Sequence, residues 1–161
     1  MAGQFEASVE IDRPVEEVFA YLADGTNDPQ FSPRVLRITK EPAGETAVGT
    51  VFTSTVKDAG MKTNRQIKIT EFVPNTKLRW TETSKNIVTS KEGGYDFESL
   101  EDGRTRLRIF NELEGHGFGK LIVGFALSQA RKDAPAFGRR IKTAAEAAIS
   151  KPADAEGTST E

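Results

Sequence analysis

The chain contains no cysteine in its 161 residues, which removes disulfides, thiolate nucleophiles and thiolate metal sites together and suits a reducing compartment such as the cytoplasm. It has one histidine, His116, too few imidazoles for a metal set, so neither a metal nor another cofactor is expected. No apolar run is long enough to span a bilayer, and the opening residues, MAGQFEASVEI, have neither the basic nor the apolar region of a secretory signal. An excess of charge of one sign is missing too. The formal net charge is −2, and residues 151–161 carry all of it, with one lysine against Asp154, Glu156 and Glu161. A neutral body lacks the basic face that nucleic-acid binding demands, which sets that class aside.

What is present is alternation. Phe5, Ala7, Val9 and Ile11 fall on one side and Glu6, Ser8 and Glu10 on the other, the pattern of a half-buried first strand. Asp12 before Arg13-Pro14, with Glu16 and Glu17 following, signals a helix start with Asp12 as its cap, and Val15, Val18, Phe19 and Leu22 supply the apolar face. Gly25 is expected to close that helix in a left-handed cap, and 26–33, rich in turn residues, reads as turn or short helix around Phe31. Strand-like runs follow at 35–40, 50–56, 63–72, 77–83, 87–100 and 105–113.

Coincidence of apolar faces predicts the register of the last hairpin. With Glu101-Asp102-Gly103 as a three-residue loop and Gly103 left-handed, Tyr95 meets Ile109 and Phe97 meets Leu107 inside. Outside, Asp96 meets Arg108, Glu98 meets Arg106 and Gly94 lies under Phe110. Arg104, Arg106 and Arg108 therefore read as a charge-balanced sheet face rather than an anion site. From Phe118 to Ile149 the period becomes helical, with Phe118, Leu121, Ile122, Phe125, Phe137, Ile141, Ala144, Ala145 and Ala148 as its apolar stripe and a kink expected before Pro135. The length suits one domain, 1–150, and residues 151–161, without a large apolar side chain, are expected to form a disordered tail.

This order of elements, with VEIDRPVEEVF at positions 9–19, FVPNTKLRW at 72–80, the short segment 27–33 and the long helix 121–149, resembles the SRPBCC superfamily of START-like and polyketide cyclase/dehydrase proteins. The resemblance implies an α+β helix-grip fold, in which a curved seven-stranded antiparallel sheet wraps a long C-terminal helix, with two short helices after the first strand. It also implies an internal cavity. Activities in that superfamily are binding or transport of lipids and other hydrophobic molecules, polyketide cyclisation, aromatisation or dehydration, and protein contacts of a co-chaperone kind.

Strand parity and the helical stripe then nominate Phe52, Trp80, Tyr95, Phe97, Leu121 and Phe125 as the apolar lining, although the same residues would equally serve a solid core. Asn111 shares the inner face with Leu107 and Ile109, and Gly93 opposite leaves room for its amide, which needs a partner from protein, water or ligand. Arg65 shares parity with Ile67 and Ile69, either aimed at a ligand carbonyl or carboxylate or reaching water from the cavity mouth. His116, in EGHGFG at 114–119, has no nucleophile tied to it by spacing. Three readings stay open: a carrier of a small hydrophobic ligand, which is favoured; a cyclase, aromatase or dehydratase using cavity polar groups; and an interaction module, which would need a large exposed apolar patch. No catalytic residue and no oligomeric state follow from the sequence.

Overall fold

The computed structural model describes residues 2–58 and 60–151; of the expected tail only Lys151 falls within them. Seven strands form one antiparallel sheet: β1 Ala2–Ile11, β2 Val35–Glu41, β3 Val51–Asp58, β4 Met61–Val73, β5 Lys77–Glu82, β6 Val88–Ser99 and β7 Thr105–Gly115. Their order is β1-β7-β6-β5-β4-β3-β2, so the first two strands lie at opposite edges and the chain must cross between them. It crosses through helix α1, Val15–Ala23, and a 3₁₀ helix, Gly25–Gln30, and it ends in helix α2, Gly119–Ala148.

The hairpin register is the expected one, with Tyr95 opposite Ile109, Phe97 opposite Leu107 and Gly93 opposite Asn111, and Gly103 takes φ 78° in the turn. Outside, Arg108 bonds Glu6 and Asp96, Arg106 bonds Glu98 and Glu10, and the guanidiniums of Arg79 and Arg108 both lie 4.8 Å from the Phe110 ring centroid. The arginines are thus spent on neighbours, and they explain how an outward phenylalanine is buried. Register shifts beside Ile69, Ser90 and Val35 insert the irregularities that bend such a sheet.

Three local expectations are corrected. Pro14, not Asp12, precedes the first turn of α1, and Asp12 instead pairs with Arg13 and Lys151. Gly25 is not left-handed; it opens the 3₁₀ helix, for which Asp24 accepts from the Thr26 amide. In α2 the packed line is Gly119, Val123, Leu127, Ala134, Gly138, Ile141 and Ala145. Phe118, Leu121 and Phe125 lie outside that line and are exposed.

The core sits between the sheet and the helices, around Ile11, Val18, Phe19, Phe31, Phe52, Leu78, Leu107 and Ile141. Arg13 ties its two ends together. From the turn after β1 its Nε donates to the Ile149 carbonyl at 2.7 Å and its Nη2 to the Glu146 carbonyl at 2.6 Å, satisfying acceptors at the end of α2 that have no partner within the helix. Lys142 reaches the Glu10 carbonyl at 2.9 Å, and the Asp12 amide donates to Glu146 at 2.9 Å. Charged hydrogen bonds of this kind contribute about 1.5–3 kcal/mol, so Arg13→Ala is expected to lower the unfolding free energy by about 2 kcal/mol or more in urea titrations, whereas Arg106→Ala on the open, solvent-screened sheet face leaves it nearly unchanged.

Candidate functional site

Pairing of the strands sets inner residues in rows across the sheet. Ile69 faces Trp80, Trp80 faces Gly93 and Gly93 faces Asn111 in one row; Leu78, Tyr95 and Ile109 form the next. Toward α1 the rings close on each other: Phe19 lies 5.0 Å from Phe97 and 5.1 Å from Phe72, both edge-on, and Tyr95 lies 5.0 Å from Trp80. Toward the β5–β6 connection the packing loosens, and Trp80, Arg65 and Asn111 are only half-buried. The inner face therefore has a closed aromatic end and a more open polar end.

Gly93 sits at the junction. A Cβ there would stand 2.3 Å from Trp80 Nε1 and 2.6 Å from Asn111 Oδ1, so only glycine lets the indole and the amide approach the strand together. Ser90 Oγ bonds Asn111 Oδ1, which engages the amide oxygen. Trp80 Nε1 has no hydrogen-bond partner among the described residues.

Below this row lies Glu82, whose side chain is 1% exposed. Such a carboxylate needs a full set of donors, and it has one: Arg65 Nη1 at 2.9 and 3.1 Å, Ser84 Oγ at 2.7 Å, Asn86 Nδ2 at 2.9 Å and the Ser90 amide at 2.8 Å. Arg65 does point inward as its parity requires, but its Nη1 is committed to Glu82 and the Val88 carbonyl. Glu82, Ser84, Asn86 and Ser90 border a cleft of about 390 Å³ that also takes in Thr89, Glu114 and His116. His116 is exposed and shares a 2.7 Å hydrogen bond with Thr89 Oγ1.

A second carboxyl enters from the 3₁₀ helix. Asp28 is half-buried, and its carboxylate has no hydrogen-bond or ion-pair partner among the described residues. Burial, with the charge of Asp24 adding to it, pushes this carboxyl up to about 7. Asp28 in turn acts on two phenols. Burial first, then Asp28 and Tyr21, holds the Tyr95 hydroxyl well above its ordinary range, and Tyr21 is raised by burial and Asp28 while donating to Gln30 Oε1 at 2.6 Å.

Of the residues nominated from the sequence, Phe52, Tyr95 and Phe97 are buried, Trp80 and Asn111 flank Gly93 in one row, and Arg65, half-buried, connects to Asn111 only through Glu82 and Ser90. Leu121 and Phe125 do not join them: they are 77% and 71% exposed, because the α2 contact is made by Val123 and Leu127 on its opposite side. Glu82 and Asp28 were missed. Glu82 shares parity with Leu78 and Trp80, a signal already in the sequence, whereas nothing distinguishes Asp28 from an ordinary turn aspartate.

The family described as polyketide cyclase/dehydrase and lipid transport matches residues 2–148. Among solved structures, TTHA0849 from Thermus thermophilus superposes with a TM-score of 0.74 at 16% identity, covering 92% of this chain and 100% of that one. The Zhui aromatase/cyclase from Streptomyces sp. R1128 gives 0.74 at 16% identity over 91% and 94%. Norcoclaurine synthase from Thalictrum flavum gives 0.67 at 11% identity over 94% and 90%. At these identities the likeness is one of fold. No curated protein matches the sequence at a significant level.

A carboxyl raised from 3.8 to about 7 favours the folded protein while protonated. That contribution is complete below about pH 4 and is lost as the pH climbs to about 7. Asp28→Asn removes the penalty, so the variant is expected to match the parent near pH 4 and to gain on it up to pH 7, by at most about 4 kcal/mol, in urea unfolding followed across pH.

Proposed function

The chain belongs to the polyketide cyclase/dehydrase and lipid transport family, and on that premise we propose that it binds a small hydrophobic molecule against the inner face of its sheet. The body of the ligand lies along Phe52, Tyr95 and Trp80, and its polar end meets Trp80 Nε1, Asn111 and Arg65. The observation that carries this reading is the row in which Trp80 and Asn111 flank Gly93 across the sheet, a half-buried indole N–H and a half-buried amide beside the Trp80–Tyr95 ring pair, which gives the polar and apolar surface an amphiphilic ligand requires. The glycine at position 93 supports it, since it lets the indole and the amide stand side by side.

A second reading, cyclisation or dehydration of a polyketide-like chain, is favoured by Asp28. A carboxyl half-protonated near neutrality can take a proton from the carbon beside a ketone and return it to a hydroxyl that departs as water. Tyr95, a neutral phenol at all ordinary pH, would then hold the carbonyl by donating to it.

The two readings separate experimentally. Native mass spectrometry and thermal shift with fatty acids, sterols, flavonoids and aromatic polyketides should find a one-to-one complex, weakened about tenfold or more by Trp80→Ala and by Asn111→Ala. A panel that neither co-purifies with nor stabilises the protein removes the carrier reading. If a bound polyketide loses water, Asp28→Asn is expected to slow that loss about 10²- to 10⁴-fold with binding retained; an unchanged rate rejects Asp28 as the acid–base group.

A further inference from the structure

The first half of α2 presents a ridge that nothing in the fold uses. Phe118, Leu121 and Phe125 are 68%, 77% and 71% exposed, and Ile87, whose carbonyl accepts from the His116 amide beside the start of the helix, is 54% exposed. At 3.6 residues per turn, Leu121 and Phe125 each lie roughly 160° around the helix from the buried Val123. The ridge therefore faces away from the sheet and from the candidate site. Large apolar side chains clustered on a surface in this way mark a contact with something outside the molecule.

The charges around it identify the chemistry of that contact. Lys132 is exposed within roughly 20° of Phe125 around the helix, Lys120 is exposed on its flank roughly 100° from Leu121, Lys85 is exposed in the loop that carries Ile87, and the helix contains no acidic residue before Asp133; Arg131 turns back to donate to the Gln4 carbonyl. Asp133 is paired with Arg140 at 3.0 Å. Two copies of this ridge would set lysine against lysine, which disfavours self-association. A protein partner would have to supply both an apolar groove and acidic flanks, and the ridge offers it only Ser128 and Gln129 for polar recognition. An anionic bilayer supplies both requirements in one surface, taking phenylalanine and leucine into the headgroup–acyl boundary while lysine stays at the phosphates. Among the described residues no helix is long and apolar enough to cross a membrane.

We infer that the outward face of α2, centred on Phe118, Leu121 and Phe125, docks the protein on anionic lipid surfaces. The inference does not depend on what occupies the inner face of the sheet. A protein that docks and carries nothing fulfils it, and a carrier that never docks refutes it.

The test is co-sedimentation of the full chain with vesicles of phosphatidylcholine alone and of phosphatidylcholine with phosphatidylglycerol. Binding is expected to the anionic vesicles, to fall with added salt, and to drop about tenfold or more in the triple variant Phe118→Ser, Leu121→Ser, Phe125→Ser. Because these side chains are exposed, the triple variant should melt with the parent, and Lys120→Glu with Lys132→Glu should reduce binding without touching the apolar ridge at all. Absence of binding to anionic vesicles, or binding that both variants retain, overturns the inference. So does a dimer in sedimentation velocity that the triple variant dissolves while vesicles bind neither form, since the ridge would then be a self-interface.

Discussion

The guanidinium of Arg13 reaches from the turn between β1 and α1 to the last carbonyls of α2, and the placement of everything on the inner face follows from that fastening. An open curved sheet can bury one face only if an element from elsewhere in the chain is held across it. Here that element is the last helix, and the contact that holds it spans 133 to 136 residues of sequence. Lys142 and Glu146, both on the same end of α2, reinforce the attachment at Glu10 and Asp12. The approach is close because small residues make it: Gly138 faces Val9 and Ala7 of β1, and Ala134 and Ala145 are buried on either side of it. Fixed in this way, α2 covers β1 and β7 and barely reaches β6. Beyond the buried Ile69 and Leu78, the inner face of β4 and β5 carries Trp80, Arg65 and Glu82, and polar groups gather there.

That division also explains two very different carboxylates. Glu82 is buried where five donated hydrogen bonds converge, an arrangement that fixes its geometry and holds the β5–β6 connection in place. The Asp28 carboxyl is half-buried with no donor among the described residues, and its pKa is raised to about 7. The first is structural; the second is the group in this fold whose charge state is open to a ligand or a change of pH. Both cost stability unless compensated, and only Glu82 is compensated within the protein.

The strands and their register were legible because the alternation is strict and one turn, Glu101-Asp102-Gly103, admits only one pairing of like faces. The fold family was legible for a related reason, since the 9–19 segment joins the end of the strand that α2 covers to the arginine that fastens it. The burial of α2 was misread. Its largest side chains, Phe118, Leu121 and Phe125, dominate the helical pattern, whereas the contact uses Gly119, Val123 and Leu127, residues small or slender enough to pack closely. Counting phase backward from Ile141 through Pro135 would have exposed the error, because Phe125 falls roughly 160° away from it. Asp28 was not legible at all: whether a turn aspartate faces water or protein depends on where the 3₁₀ helix docks, and that is a property of the assembled fold.

The central claim, that an amphiphilic ligand lies on the inner face with its polar end at Trp80, meets its most direct test in the fluorescence of that residue, the chain's one tryptophan. Titration with any ligand that stabilises the protein should change the tryptophan emission saturably, with the same midpoint as the stabilisation. A ligand that stabilises the protein and leaves the emission untouched binds elsewhere, and the assignment of the site to Trp80, Asn111 and Arg65 is then wrong.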